Sequence, residues 1–224
     1  MIPVLAIDGP SGSGKGAVGF AVARALSWHY LDSGAVYRAL ALAAVWAGVA
    51  LDDESRLSAL ASELRLRFDS GLTGDVNVFV NDRDCGAALR APEVASAASQ
   101  VAALRAVRAA LLDRQRAARL APGLVADGRD MGSHVFPDAF LKVFLTASAE
   151  VRARRRYDQL KGKGFSVTLP QLIGEIRERD ERDAQRAIAP LKPALDAELL
   201  DSSALSLQEV IDQVLVMVRK RLII

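Results

Sequence analysis

Short apolar runs alternate with segments of helical periodicity along most of the chain. Residues 3–8 (PVLAID) form an apolar run of the length and composition expected for a buried parallel strand. The segment 17–27 follows with Val18, Val22 and Leu26 at helical spacing. Further strands are predicted at 29–32, 124–128, 140–146 and 199–201. Further helices are predicted from about Val36 to near Gly48 and over 93–119, 150–160, about 170–186 and 206–221. This order predicts an α/β fold with a five-stranded parallel sheet flanked by helices.

The middle of the chain has a different pattern. Residues 63–71 (ELRLRFDSG) and 75–84 (DVNVFVNDRD) alternate apolar and polar positions with the period of a strand. Turn formers (SGLTGD, 70–75) lie between them, which favours an antiparallel hairpin. We therefore expect one domain with a core of 1–61 and 99–224 and an inserted subdomain at 62–98.

A glycine-rich segment, GPSGSGKGAV, occupies residues 9–18 between the first predicted strand and helix. Gly9, Gly14 and Lys15 match the pattern G-x-x-x-x-G-K of a phosphate-binding loop. Such a loop directs backbone N–H groups, a helix N-terminus and a lysine ammonium at the phosphates of a nucleotide. Gly16 and Ala17 stand where loops of this kind often have a Ser or Thr hydroxyl. The segment predicts nucleotide triphosphate binding and leaves the acceptor open.

Charged residues elsewhere suit phosphoryl transfer, which mainly requires positive groups around the transferring phosphate. Arg152, Arg155 and Arg156 precede the loop KGKGFS (161–166), an arrangement that suits a lid at about 152–168. Asp127 ends a predicted core strand, where a carboxylate can bind Mg²⁺ through water. Arg179, Asp183 and Arg186 are spaced to share one helix face, although a solvated, salt-bridged surface helix has the same spacing.

The composition limits the cellular compartments and binding partners that we expect for this protein. The net charge is only +2, so it does not indicate a nucleic-acid-binding surface. The single cysteine, Cys85, excludes an internal disulfide and suits a reducing cytoplasm. Two isolated histidines and one cysteine argue against a zinc site. The longest apolar stretch, 39–51, is too short to span a bilayer. We expect a cytoplasmic protein that binds neither membrane nor nucleic acid.

Six motifs together resemble the bacterial cytidylate kinase family over almost the whole chain. They are GPSGSGKG (9–16), LDSGAVYRALAL (31–42), ASAASQVAALRAVR (95–108), LVADGRDMGSHVFPDA (124–139), KGFS (163–166) and ERDERDAQRAIAPLKPA (178–194). The resemblance implies a P-loop kinase fold with a nucleoside-monophosphate-binding hairpin insert. It also implies a monomer that transfers a phosphoryl group from ATP, carried with Mg²⁺, to CMP or dCMP.

The family's functional residues carry over by motif position. Those for ATP would be Gly9, Pro10, Ser11, Gly12, Ser13, Gly14, Lys15, Gly16 and Ala17. The residues that contact the cytosine ring would be Ser33, Arg108, Asp130 and Arg186. The pentose would be contacted by Ser99, Arg179 and Asp183, and the acceptor phosphate by Tyr37, Arg38 and Arg129. The negative charge of the transition state would be stabilised by Lys15, Arg129, Arg152, Arg155 and Arg156.

Ala17 departs from the family, whose loop reads G-K-G-T. Loss of a hydrogen bond to a charged group is worth about 1.5–3 kcal/mol, so the sequence predicts a donor step weakened roughly 10- to 150-fold. Ser11 or Ser13 could compensate, and nothing in the sequence explains the further departures at Gly19 and Phe20.

Three other functions compete with the cytidylate kinase interpretation. One is a nucleotide-binding protein of the same fold that is catalytically impaired through Ala17. Another is a phosphate-loop kinase for a different nucleotide or for a small alcohol such as shikimate, against which the hairpin insert argues. A nucleic-acid-remodelling ATPase would need aromatic stacking platforms, but aromatic residues make up only 5% of the chain.

Overall fold

The computed structural model describes residues 1–70, 76–86, 88–162 and 166–222. The chain divides into two compact units, one formed by residues 1–32 with 116–224 and the other by residues 33–115. The predicted turn at 70–75 and the predicted lid at about 152–168 both lie partly outside the described residues. None of the described helices is long and apolar enough to cross a membrane.

The first unit contains the predicted five-stranded parallel sheet. Its strands in chain order are β1 (Val4–Asp8), β2 (His29–Asp32), β6 (Leu124–Gly128), β7 (Leu141–Thr146) and β8 (Glu198–Asp201). Their order across the sheet is β2-β6-β1-β7-β8, and every neighbouring pair is parallel. The predicted sheet is confirmed, with strand ends that differ by one residue at most. Because the strands are parallel, their carboxyl ends share one edge, where ligands bind in open sheets of this kind.

Among the described residues of the first unit, the α-helices are α1 (Lys15–Leu26), α6 (Ala149–Lys161), α7 (Leu169–Ala184) and α8 (Leu207–Leu222). Apolar side chains of α1 and α8 pack on the sheet, with Val18, Val22, Val210, Val214 and Val218 all buried. Full burial of one such side chain stabilises the fold by about 1.5–3 kcal/mol. A separate cluster joins α6 to α7. The phosphate loop is thus anchored at its start by the buried strand β1 and at its end by helix α1.

The second unit contains a three-stranded antiparallel sheet, β3 (Leu66–Ser70), β4 (Val76–Val80) and β5 (Arg83–Asp84). The predicted hairpin is confirmed, and β5 extends it. The α-helices described in this unit are α2 (Ser33–Trp46), α3 (Glu54–Glu63), α4 (Pro92–Val101) and α5 (Arg105–Arg116). Helix α3 has no counterpart among the elements predicted from the sequence.

Two helix predictions need correction. The helix predicted over 93–119 is two helices, because the chain turns at residues 102–104. The freed carbonyl of Ala102 accepts a hydrogen bond from Nη1 of Arg108 at 3.2 Å, which satisfies the end of α4. The helix predicted to reach residue 186 ends at Ala184, so Arg186 lies beyond it. Arg186 therefore does not share a helix face with Arg179 and Asp183.

Candidate active site

The glycine-rich segment forms a loop from the carboxyl end of β1 to the first residue of α1, as a phosphate loop requires. Gly14 has φ +93° at the N-cap, a left-handed conformation that favours glycine. A Cβ at Gly9 would overlap the carbonyl oxygen of Leu145. The first hydrogen bond of the helix runs from the Val18 N–H to the Gly14 carbonyl at 3.0 Å. The N–H groups of residues 15–17 precede it and can donate to phosphate oxygens.

Lys15 is buried, and its Nζ donates to the Pro10 carbonyl of the loop at 3.2 Å. Burial lowers the pKa of Lys15 to about 7, and the nearby positive charge of Arg129 acts in the same direction. The Asp127 carboxylate opposes this shift. The ammonium group is therefore held without full compensation of its charge, which favours an anionic ligand.

Two arginines of α6 hold the loop through its backbone carbonyls. Arg152 donates from Nη1 to the Ser11 carbonyl at 3.0 Å and also pairs with Asp180 of α7 at 2.6 Å. Arg155 donates from Nη1 to the Ser13 carbonyl at 3.1 Å and from Nη2 to the Ser202 carbonyl at 2.6 Å. These two predicted lid arginines thus lie beside the phosphate loop and fix its shape.

The third arginine of this helix, Arg156, differs from the other two. Its Nε is buried and has no hydrogen-bond partner within the described part of the chain. It directly follows Arg155 on the same helix.

Asp183 is the centre of a buried charge cluster. Its Oδ2 accepts a hydrogen bond from Arg129 Nε at 2.9 Å, and its Oδ1 pairs with Arg186 Nη2 at 2.6 Å. Burial alone would raise the pKa of the Asp183 carboxyl, but the guanidinium groups of Arg129, Arg186 and Arg179 hold it below its usual value. The structure therefore brings four of the predicted residues together around one buried carboxylate. They do not form the solvated, salt-bridged helix face that the spacing also allowed. Arg186 reaches Asp183 from the segment after α7.

The turn that carries Arg129 and Asp130 is fixed by a residue that the sequence analysis missed. The Asp8 carboxylate at the end of β1 accepts from the N–H groups of Met131 and Gly132, both at 2.8 Å. Burial raises the pKa of Asp8 to about 6 despite these two hydrogen bonds. The carboxylate ties the end of β1 to the start of the π-helical turn Met131–Val135, and so places the preceding Asp130.

The carboxylate side chains at the ends of β2 and β6 suit a magnesium ion. Asp32 and Asp127 are register partners in these neighbouring parallel strands. Asp127 is buried, and its Oδ2 would lie 3.4 Å from a Cβ built on Gly16 of the loop. Magnesium bound to a nucleotide keeps most of its waters and takes one or two carboxylates, so this donor set fits the ion. The described residues contain no cluster of three or more His, Cys, Asp or Glu side chains for a metal ion.

The remaining predicted residues lie in the second unit. Ser33, Tyr37, Ser99 and Arg108 are buried there, and Arg38 is half-buried. The Arg108 guanidinium lies 5.8 Å from the centre of the Tyr37 ring, within range of a cation–π contact. The structure thus brings Tyr37 of α2 and Arg108 of α5 together inside this unit.

Three more residues beside the loop were not found from the sequence. Ser202 lies after β8, and its Oγ is 3.2 Å from the Ser13 carbonyl and 3.0 Å from the Thr146 carbonyl. Asp180 pairs with Arg152, and Tyr30 donates from its hydroxyl to the Gly16 carbonyl at 3.3 Å. A carboxylate directly before a glycine-rich loop was a visible signal for Asp8. No local pattern marks Ser202 or Tyr30.

Comparison with known proteins identifies the family of this chain. The family described as cytidylate kinase matches residues 5–220. A cytidylate kinase of Methylococcus capsulatus is 59% identical over 94% of this chain and 94% of its own length. A cytidylate kinase of Stutzerimonas stutzeri is 58% identical over 96% of this chain and 94% of its own length. One of Salmonella arizonae is 56% identical over 98% of this chain and 96% of its own length. The chain therefore belongs to the cytidylate kinase family.

Proposed function

We propose that this protein transfers the γ-phosphoryl group of ATP to CMP or dCMP, forming ADP and CDP or dCDP. The observation that carries the proposal is the family match over residues 5–220, together with a phosphate loop between β1 and α1. An anionic oxygen of the acceptor phosphate forms the new bond to the γ-phosphorus. The bond from that phosphorus to the bridging oxygen breaks, and ADP leaves with the electron pair.

The residues of the loop would bind the donor. The backbone N–H groups at 15–17 and the Lys15 ammonium would bind the β- and γ-phosphates of ATP. Arg152 and Arg155 donate to the Ser11 and Ser13 carbonyls and so lie beside the loop. Together with Arg156 they would supply positive charge as the phosphoryl group moves. Because the acceptor phosphate is already anionic, the reaction needs no general base.

Magnesium would arrive with ATP. Asp127, with Asp32 beside it, would hold the ion through water, and the ion would neutralise charge on the phosphates. Lys15 is close enough to both carboxylates for their charges to raise its pKa. The two carboxylates would thus position a cation next to the loop without a full protein cage.

The residues proposed for the acceptor follow the family's motif positions. We propose Ser33, Arg108, Asp130 and Arg186 for cytosine, Ser99, Arg179 and Asp183 for the pentose, and Tyr37, Arg38 and Arg129 for the phosphate. Cytosine presents an amino donor that a carboxylate such as Asp130 accepts, whereas uracil presents a carbonyl there. A buried carboxylate left facing a carbonyl is poorly paired, so UMP should be a poor substrate.

The protein would work as a cytoplasmic monomer that needs no nucleic acid or membrane. The single buried cysteine and the small-molecule substrates support the compartment, and the family resemblance supports the monomer. Light scattering coupled to size exclusion tests the oligomeric state.

Chromatographic detection of CDP from ATP, Mg²⁺ and CMP tests the proposal. The wild-type protein should form CDP and ADP in equal amounts. Lys15→Ala should form at least roughly 100-fold less, because a charge beside the transferring phosphate is worth several kcal/mol. ADP formation without CDP would show a hydrolase and would contradict the proposal. The impaired binding protein that Ala17 suggested has no support among the relatives compared above, which are cytidylate kinases by name.

A further inference from the structure

Two of the departures, Gly19 and Phe20, lie against one aromatic side chain, Tyr30 of β2, and the third, Ala17, directly follows the residue to which the Tyr30 hydroxyl donates. Its hydroxyl donates to the Gly16 carbonyl in the first turn of α1 at 3.3 Å. Its ring meets Phe20 edge-on, with 5.7 Å between ring centres and 74° between ring planes. A Cβ at Gly19 would come within 3.1 Å of Tyr30 Cε2. Gly19 therefore makes room for the Tyr30 ring.

The hydrogen bond on Gly16 acts on the neighbouring residue. The carbonyl of Gly16 and the N–H of Ala17 belong to one planar, trans peptide unit, so they point in opposite directions. Ala17 precedes the first hydrogen-bonded N–H of the helix, that of Val18. Its N–H is therefore directed out of the helix N-terminus, where a phosphate binds. Fixing the Gly16 carbonyl also fixes the direction of the Ala17 N–H.

The same bond strengthens the Ala17 N–H as a donor. A carbonyl that accepts a hydrogen bond polarises its peptide unit, so the N–H of that unit donates more strongly. Ala17 itself has no side-chain hydroxyl to offer the donor phosphates. We propose that Tyr30 is a positioning residue that directs and polarises the Ala17 N–H toward the donor phosphates. In this chain it compensates in part for the missing hydroxyl.

The inference rests on ATP being the donor, and the direct test is ATP binding without an acceptor. Tyr30→Phe keeps the ring and removes only the hydroxyl. We expect calorimetry to give an ATP Kd about fivefold higher, the size of one ordinary hydrogen bond. The amide proton of Ala17 should shift upfield in the NMR spectrum. Ser58→Ala is the matched control and should leave both readouts unchanged, because it removes a hydroxyl that donates to a backbone carbonyl, that of Ser55, within α3.

A second variant separates positioning from packing. Gly19→Ala pushes the Tyr30 ring away by its Cβ and should also raise the ATP Kd, while the KM for CMP stays unchanged. Combined with Tyr30→Phe it should add little, because both changes break the same hydrogen bond. An ATP Kd in Tyr30→Phe equal to that of the wild type would overturn the inference, as would additive effects of the two changes. Failure to form CDP in a protein that still binds ATP would contradict the proposed function alone.

Discussion

Replacement of Asp183 by Asn is the sharpest test of the buried charge cluster. The change keeps the shape of the side chain and removes the charge that neutralises Arg129 at 2.9 Å and Arg186 at 2.6 Å. Asp183 and Arg186 are both at least nine-tenths buried. Removing one partner of a buried ion pair costs about 3–5 kcal/mol, because a buried charge is left without compensation. In a protein of this size a change of about 1 kcal/mol shifts the melting temperature by about 2–4 °C, so we expect a decrease of roughly 6–20 °C.

The assay is thermal unfolding followed by circular dichroism, at several pH values. The pKa of Asp183 is lowered in the fold, so its stabilisation is present above the pKa of the unfolded chain and is lost as pH falls through the folded value. The destabilisation by Asp183→Asn should therefore be largest near neutral pH and should shrink in acid. Glu150→Gln is the control, because its pair with Arg177 is mostly exposed and should contribute almost nothing. Equal melting temperatures for Asp183→Asn and wild type at neutral pH would refute the reasoning.

Three further predictions concern the loop and its support. Because the pKa of Lys15 is lowered to about 7, ATP should bind with uptake of about one proton at a pH of about 8, measured by calorimetry in buffers of different ionisation enthalpy; no uptake would contradict this. The pKa of Asp8 is raised to about 6 in the folded protein, so protonation of Asp8 stabilises the folded state and the free energy of unfolding should fall as pH rises from about 4 to 6. Asp8→Asn should abolish this pH dependence in denaturant titrations. Ala17→Thr should lower the KM for ATP, by at most roughly 10- to 150-fold, and leave the KM for CMP unchanged in steady-state kinetics; an unchanged KM for ATP would show that the hydroxyl makes no contact.

The sheet could be predicted from the sequence because its strands carry a strong local signal. The apolar runs at 4–8, 124–128 and 141–146 are largely buried and are bounded by turn formers. The break between α4 and α5 could not be predicted in this way. Residues with good helix propensity continue through 102–104, and the Arg108 side chain that bonds to the freed Ala102 carbonyl leaves no signal in the local pattern.

The candidate site could be predicted only as far as its motifs extend. The phosphate loop is contiguous, and its glycines and lysine identify it directly. Asp180, Ser202 and Tyr30 reach the loop from other elements, and a side chain that contacts a loop across the fold leaves no periodic or spaced pattern in the sequence. Family resemblance predicts the substrate-contacting positions but not Asp180, Ser202 and Tyr30, which contact the loop or its arginines from other elements.

The acceptor specificity tests the central claim most directly. ADP production should be measured with ATP, Mg²⁺ and CMP, dCMP, UMP or AMP as separate acceptors. The account predicts kcat/KM for CMP and dCMP far above that for UMP and AMP, because the carboxylate proposed to contact the base, Asp130, accepts from the cytosine amino group and finds no such donor on uracil. Equal rates with UMP, or no transfer to CMP by a protein that still binds it, would contradict the account.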